Sequence, residues 1–237
     1  MYLKNRIKNS LIYSLKSYPN YIIFGIILSL LDVIPNLFGN RNILAILASI
    51  IATLVLFIEI GYLATIIGDT IHGNDILPKF KNMKSLIIKG IKETIIVIGY
   101  LVIPMIIALI LILEVIVFDN IVLGILIAIF LILVLIFSVF FIEGAILNFE
   151  YHHSRLKSAF DIKTIYHKIK NMGISEFIIA LLFLSSASFV VELIFEGFIF
   201  DLGILGSILF NFLLMPFLAI FSSRFLGLIG RHYFTEN

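Results

Sequence analysis

The 237-residue chain contains no cysteine and no tryptophan, and only 14% of its residues are charged. The absence of cysteine excludes disulfide bonds, thiol catalysis and cysteine-rich metal sites. Without tryptophan, any aromatic belt at a membrane interface must come from the 9 tyrosines and 23 phenylalanines. Soluble domains carry about 25% charged residues. A soluble fold with this composition would therefore have too few polar side chains to cover its surface.

The chain is rich in apolar residues: 61% of its residues are hydrophobic, and its mean hydropathy is +1.16. Because a bilayer core offers no water, only helices and closed barrels satisfy the backbone hydrogen bonds there. The apolar runs are longer than about 18 residues and do not alternate with polar residues, which favours helices. The sequence therefore predicts an all-α, polytopic integral membrane protein that forms a single membrane domain over residues 1–237.

Six apolar segments are predicted to be transmembrane helices, arranged as three hairpins. The first is short and contains Asp32 and Pro35, so a re-entrant segment is the alternative there. The predicted spans cover residues 21–37, 43–67, 93–117, 121–147, 174–195 and 204–230.

Every lysine and arginine except Arg41 falls on one side of these predicted spans. They lie in the N-terminal segment, in the loops after the second and fourth spans, and near the end of the sixth span. Because basic residues are retained on the cytoplasmic side of a membrane, we expect a multi-pass cell-membrane protein with both termini in the cytoplasm.

The chain also contains an internal repeat. Residues 57–63 (FIEIGYL) and 141–147 (FIEGAIL) end the second and fourth spans with similar sequences, and basic stretches at 3–16, 79–92 and 156–172 precede the three hairpins. We interpret each repeat as a basic amphipathic interfacial helix followed by two spans. Similarity imposed by membrane insertion alone is the alternative. In the first stretch, apolar residues spaced four apart predict a single helical stripe: Leu3, Ile7, Leu11 and Leu15.

Three motifs carry a resemblance to a known family. They are Gly73-Asn74-Asp75-Ile76-Leu77-Pro78-Lys79-Phe80, Tyr100-Leu101-Val102-Ile103-Pro104 and Ala159-Phe160-Asp161. With these motifs the chain resembles, over nearly its whole length, the uncharacterised polytopic membrane proteins of domain-of-unknown-function family 4013, which is frequent in methanogenic archaea. Where that family often has an acidic-aromatic pair after the phenylalanine, this chain has Lys81-Asn82-Met83. The resemblance implies a multi-span membrane protein and carries over no catalytic residue.

Ionisable residues inside the spans are candidates for function because placing a charge in the bilayer core costs about 2.5–3.5 kcal/mol. Glu59 and Glu143 occupy equivalent positions in the repeat, and Arg224 lies at comparable depth in the sixth span. We hypothesise that the three form an intramembrane charge cluster that acts as a proton- or cation-linked site. The alternatives are a structural contact that holds the hairpins in register and an Arg224 side chain that extends to the headgroups.

The basic segments predict contact with anionic lipid headgroups on the cytoplasmic side, since each basic residue near such a surface contributes about 1 kcal/mol. We prefer this interpretation to nucleic-acid binding. The candidate headgroup contacts are Lys4, Arg6, Lys8, Lys79, Lys81, Lys84, Lys157, Lys163, Lys168 and Lys170.

Neither a catalytic motif nor a cofactor motif is found in the sequence. The adjacent histidines His152 and His153 would point apart on a helix, so we expect no metal site there. The sequence therefore favours a non-enzymatic protein without a cofactor, which organises the membrane or partner proteins through a basic cytoplasmic face. A small-solute or ion transporter using the intramembrane carboxylates is the alternative. Protein partners are not indicated, and a homo-oligomer remains open.

Overall fold

The computed structural model describes residues 2–16, 20, 22–29, 42–118 and 121–234, and all regular secondary structure in these ranges is helical. The all-α prediction is confirmed. The helices in chain order are α1 (Tyr2–Leu15), α2 (22–29), α3 (Asn42–Ile71), α4 (Met83–Phe118), α5 (Ile121–Tyr151), α6 (Leu156–Ala159), α7 (Ile162–Met172), α8 (Ile174–Leu202), α9 (Ile204–Leu209), a π-helical turn (Phe210–Leu214) and α10 (Met215–Phe234).

Five helical segments within the described residues are long and apolar enough to cross a membrane. They correspond to the predicted second to sixth spans. The predicted first span covers residues 21–37. Only residues 22–29 of it are among the described residues, and these are helical. The five segments are Ile46–Ile71, Met83–Leu113, Val122–Tyr151, Ile174–Phe195 and Phe210–His232.

The second basic stretch is continuous with the span that follows it. Helix α4 has 36 residues and contains Pro104. At about 1.5 Å per residue it is about 54 Å long, whereas the hydrocarbon core of a bilayer is about 30 Å thick. The basic stretch around Lys84 and Lys92 therefore extends α4 beyond the length that a span needs and continues into the third span without a break.

Helix α1 packs against α10 with a different face from the predicted stripe. Leu3 and Ile7 pack on the core as expected, but Leu11 and Leu15 are exposed, and Ser10 and Ser14 are buried instead. Residues four apart advance by about 400° around a helix, so a stripe with that spacing rotates by about 40° at every step. The buried face follows steps of four, three and four residues, which keep it directed at α10.

The buried core lies in one half of the bundle, at the end formed by α1, residues 72–82 and residues 152–173, which we call the basic end. Ile165, Ile169 and Phe225 are fully buried there. Farther along the bundle, large apolar side chains of α4 and α5, such as Leu113 and Leu133, are exposed. This exposure suits helices that have lipid for a solvent, because lipid tails are as apolar as a protein core.

Helices α3 and α4 come into backbone contact at a pair of glycines. A Cβ atom on Gly61 would collide with the Leu86 carbonyl oxygen, and one on Gly90 would collide with the Phe57 carbonyl oxygen. Small residues allow such backbone contact between membrane helices. The α3–α4 contact therefore depends on glycine at both positions.

The predicted sixth span is not one regular α-helix. A π-helical turn over Phe210–Leu214 separates α9 from α10. The Phe212 carbonyl oxygen lies 2.5 Å from the position that a Cβ on Gly25 would take. The π-helical turn thus packs against α2 at a point where only glycine fits.

The glycine contact gives a testable expectation for stability. Replacing Gly61 with alanine should push α3 away from α4 and lower the free energy of unfolding by about 1–3 kcal/mol, the usual cost of overpacking. Thermal unfolding of the detergent-solubilised protein measures the loss. Thr53→Ala, an exposed position on the same helix, is the control and should change little. An unchanged melting temperature for Gly61→Ala would contradict the close contact.

Candidate functional site

Arg224 of α10 is the centre of a polar site at the basic end. Its side chain is only 1% exposed, and its guanidinium group donates hydrogen bonds to three segments of the chain. Nη1 bonds to Thr70 Oγ1 at 3.0 Å, at the end of α3, and to the main-chain oxygen of Asn74 at 2.9 Å. Nη2 pairs with the Asp75 carboxylate. Because an arginine stays charged in proteins, these acceptors balance a permanent buried charge.

Helix α1 contributes the third set of contacts to Arg224. Asn9 Oδ1 accepts hydrogen bonds from Nε at 3.4 Å and from Nη2 at 3.3 Å. The guanidinium carbon also lies 4.4 Å from the centre of the Tyr13 ring, within the range of a cation–π contact. These contacts, together with Leu3 and Ile7, fix α1 on the bundle.

Asp75 connects this buried charge to the surface. Its side chain is 65% exposed and also lies 3.3 Å from Nη1 of Arg231, about two helical turns beyond Arg224 on α10. The hydrogen bond from Arg224 is the main reason that the pKa of Asp75 is lowered, against a smaller opposing effect of burial. An exposed carboxylate thus holds two arginines and ties the loop after α3 to α10.

The loop motif that carries the family resemblance forms a second set of contacts. The main-chain oxygen of Pro78 accepts hydrogen bonds from the Tyr62 hydroxyl at 3.1 Å and from Asn20 Nδ2 at 3.2 Å. The Phe80 ring stacks on the Tyr62 ring, with 3.9 Å between centres and planes 14° apart. The motif therefore binds the loop to α3 through its proline carbonyl and its phenylalanine ring.

The loop after α5 is held in the same way. The Tyr100 hydroxyl donates to the main-chain oxygen of Ala159 at 2.7 Å, and the Phe160 ring stacks on the Tyr100 ring at 5.8 Å. Asn148 Nδ2 donates to the Ser158 carbonyl oxygen at 2.8 Å. Each loop is thus fixed by a tyrosine hydroxyl on a carbonyl oxygen and by a phenylalanine on the tyrosine ring.

A second charged group lies between α4 and α5. Lys89 Nζ is 2.7 Å from Glu150 Oε2, and the Glu150 side chain is 1% exposed. Ser154 Oγ donates to the other oxygen of Glu150 at 3.3 Å, and Lys89 also reaches Thr65 Oγ1 at 3.4 Å. The ion pair is therefore buried and joins α3, α4 and α5.

Glu93 lies beside this ion pair, and sequence reasoning missed it together with Lys89 and Glu150. Glu93 is 8% exposed, and the charges of Glu150, Glu143 and Lys89 act on its carboxyl group. Two sequence signals could have revealed the group. Lys89 and Glu93 are four residues apart on α4, and Glu143 and Glu150 are seven apart on α5, so each pair shares a helix face.

The structure does not join Arg224 to Glu59 or Glu143 by a hydrogen bond or an ion pair; the partners of Arg224 are those given above. The physical reason is its position along the helices. Arg224 bonds to Thr70, and Glu59 lies eleven residues before Thr70, about 16 Å along the α3 axis. Arg224 therefore meets the bundle nearer the basic end than Glu59, and Asp75 takes the place that the sequence assigns to the glutamates.

The predicted headgroup contacts belong to the elements of the basic end, except Lys84, which lies in the first turn of α4. Arg6 and Lys168 are partly buried, and the Lys168 ammonium lies 3.8 Å from the centre of the Tyr151 ring. Burial lowers the pKa of Lys168 to about 8. The remaining eight are exposed: Lys4, Lys8, Lys79, Lys81, Lys84, Lys157, Lys163 and Lys170.

The histidine pair of the sequence is divided between two surroundings. His153 stacks on His72 of the other loop with 4.6 Å between ring centres, whereas His152 packs edge-on against Tyr151. Burial is the main reason that the pKa of His152 is lowered. Within the part of the chain that the structure describes, no group of three or more histidine, aspartate or glutamate side chains could hold a metal ion.

Comparison with known proteins gives one family match. Residues 44–200 match the model of family DUF4013, described as a protein of unknown function. The matched segment runs from α3 into α8, so it contains both tyrosine-held loops and the Lys89–Glu150 pair but not Arg224. Neither the curated proteins nor the solved structures include a match to the chain.

The Asp75 contact gives an expectation for pH dependence. Because the pKa of Asp75 is lowered in the folded state, the contact stabilises the loop above the ordinary carboxyl range near pH 4 and is lost as the pH falls through the lowered value. A spin label on Ile76→Cys, an exposed position in an otherwise cysteine-free chain, should be restrained at neutral pH and mobile in acid.

In the same labelled protein, Asp75→Asn should make the label mobile at every pH and cost about 1–3 kcal/mol of stability, because a charged hydrogen-bond acceptor of Arg224 is lost. Asp161→Asn is the matched control. Asp161 caps α7 by accepting from the Thr164 main-chain nitrogen at 3.1 Å, and asparagine caps a helix about as well. Equal label mobility in the two variants would refute the role of Asp75.

Proposed function

For this chain, which belongs to the DUF4013 family, we propose a non-enzymatic role as a multi-pass cell-membrane protein. In this proposal the basic end binds anionic lipid headgroups and so organises the surrounding lipid or partner proteins. The observation that carries it is the exposure of eight lysines, seven of them on the elements of the basic end and the eighth, Lys84, in the first turn of α4 directly after residues 72–82.

Apolar side chains accompany these lysines, as membrane interfaces require. Leu15, Ile76, Ile162 and Tyr166 are all exposed at the basic end. A surface that presents lysines beside apolar side chains can place the charges among headgroups and the apolar groups at the acyl boundary. This mixture favours a lipid partner over nucleic acid, which would not benefit from exposed leucine and isoleucine.

Helix α7 shows the division between a buried apolar face and an exposed basic face most clearly. Ile165, Ile169 and Met172 are buried on one face, whereas Lys163 and Lys170 are exposed on the other. Because the buried face and the Asp161 cap fix the helix on the bundle, its backbone is already ordered before headgroups bind.

A second candidate function is ion-coupled transport. It is favoured by the carboxyl groups of Glu93, Glu143 and Glu150, which interact with one another within the spans. The lipid proposal is preferred because it uses the exposed residues of every element at the basic end. Ion flux, measured in proteoliposomes with the wild type and with the Glu59→Gln and Glu143→Gln variants, distinguishes the two roles.

The proposed orientation places six spans in the membrane with both termini and the basic end in the cytoplasm. The wild-type chain has no cysteine, so a single introduced cysteine gives an unambiguous signal. Ile76→Cys and Tyr166→Cys should react with a membrane-impermeant thiol reagent only after cells are opened. Asn120→Cys, in a turn predicted on the outer side, should react in intact cells. Labelling of all three in intact cells would reject the proposed orientation.

Lipid binding is tested by native mass spectrometry of the purified protein with anionic phosphatidylglycerol and zwitterionic phosphatidylcholine. At about 1 kcal/mol per lysine, the double variant Lys163→Gln and Lys170→Gln should weaken binding of the anionic lipid by up to about 30-fold. The matched control replaces both lysines with arginine and should retain binding. Binding of both lipids to the same extent by all three proteins would exclude the proposed role.

A further inference from the structure

The buried charges between α4 and α5 do not balance. Lys89 and Glu93 lie one turn apart on α4, and Glu150 approaches them from the last turns of α5. Lys89 pairs with Glu150 at 2.7 Å. The site therefore brings two carboxyl groups to one ammonium group inside the spans.

Of the two carboxyl groups, that of Glu93 is the one that does not pair with Lys89. Glu93 is more than nine-tenths buried, and its Oε2 receives no hydrogen bond from any residue that the structure describes. The nearby charges of Glu150 and Glu143 repel a negative charge at this position, and that of Lys89 attracts it. Lys89 is already engaged by Glu150 and by the Thr65 hydroxyl.

An ionised carboxylate in such a place is unfavourable. Removing an unpaired charge from water costs several kcal/mol in a protein interior, and a neighbouring carboxylate adds repulsion. A proton on one oxygen removes the charge. A metal ion is a poor alternative, because no three histidine, aspartate or glutamate side chains among the described residues converge to hold one.

We propose that Lys89, Glu93 and Glu150 form a proton-binding site inside the bundle, in which one ammonium group and one proton neutralise two carboxylates. The proton comes from water and forms an O–H bond on Glu93, while Glu150 stays ionised and paired with Lys89. The site does not depend on lipid binding. It supplies the bundle with a group whose charge can change during a transport step or a conformational change.

Other titratable groups face the site from the neighbouring helices. Glu143 lies two turns before Glu150 on α5 and acts on Glu93. Asp69 of α3 interacts with Lys89, and His72, which directly follows α3, interacts with Glu150. The two acidic groups favour proton binding at the site, and a protonated His72 opposes it. The titration therefore reports the whole group and is assigned with variants at each carboxylate.

The experiment is infrared spectroscopy of the full-length protein in lipid vesicles. A protonated carboxyl group has a C=O stretching band that carboxylates lack, and the band shifts in D2O. The wild type should show such a band at neutral pH, and Glu93→Gln should remove it. Glu150→Gln should remove it as well, because Lys89 is then free to neutralise Glu93. Lys89→Met should increase the band area, since neither carboxylate keeps a cation.

The joint loss in Glu93→Gln and Glu150→Gln is the decisive result, because a proton held by any other group would survive both changes. Glu176→Gln, an exposed position on α8, is the control and should leave the band unchanged. A band that persists in both folded variants would overturn the proposal. So would a wild-type band that appears only when sodium is removed, since a metal cation would then occupy the site.

Folding of the variants is checked by circular dichroism and gel filtration. If the glutamine variants do not fold, Glu93→Asp keeps a carboxyl group in a slightly different position. The proposal then expects the C=O band to shift in frequency, and an unshifted band contradicts it. Because the band is read without any measurement of lipid binding, its absence would leave the headgroup proposal unaffected.

Discussion

A single buried positive charge, that of Arg224, determines how the basic end is assembled. A guanidinium group in a dry interior is stable only when its donors are satisfied. Here the acceptors come from α1 through Asn9, from α3 through Thr70, and from the following loop through Asn74 and Asp75. Asn9, residues 70–75 and Arg224 itself are far apart in sequence, so satisfying one side chain brings three parts of the chain together.

The last turns of α3 lie between two buried groups of charges, that of Arg224 and that of Lys89 with Glu93 and Glu150. Thr70 faces Arg224, whereas Thr65 faces Lys89. At Gly68, a side chain would collide with the Glu150 carboxylate, so the ion pair lies directly against the α3 backbone. A displacement of these turns would therefore alter both groups at once, which links the loop held by Arg224 to the carboxylates inside the spans.

Length and hydropathy were sufficient to predict the helices but not their contacts. A span is a local property, so the second to sixth spans could be located from the sequence. The Arg224–Asp75 pair joins residues 149 positions apart, and no local pattern indicates it. Glu93 was missed for another reason: it lies at the predicted start of a span, where a carboxylate looks like an ordinary helix-end residue. In a membrane helix the lipid-facing and protein-facing sides are both apolar, so periodicity could not show which face of α4 is buried.

The same limit applies to the positive charges. The rule that retains lysine and arginine on the cytoplasmic side counts all of them equally, yet the structure divides them. Arg224 and Lys89 point inward and hold the bundle together, whereas Lys163 and Lys170 point outward. Only the outward residues are available to headgroups in the proposed role, because moving Arg224 would leave Asp75 with Arg231 alone and moving Lys89 would leave Glu150 without its ion-pair partner. The proposed orientation and the proposed lipid binding thus draw on the same residue types, but the inward charges are fixed by the fold and the outward ones are exposed.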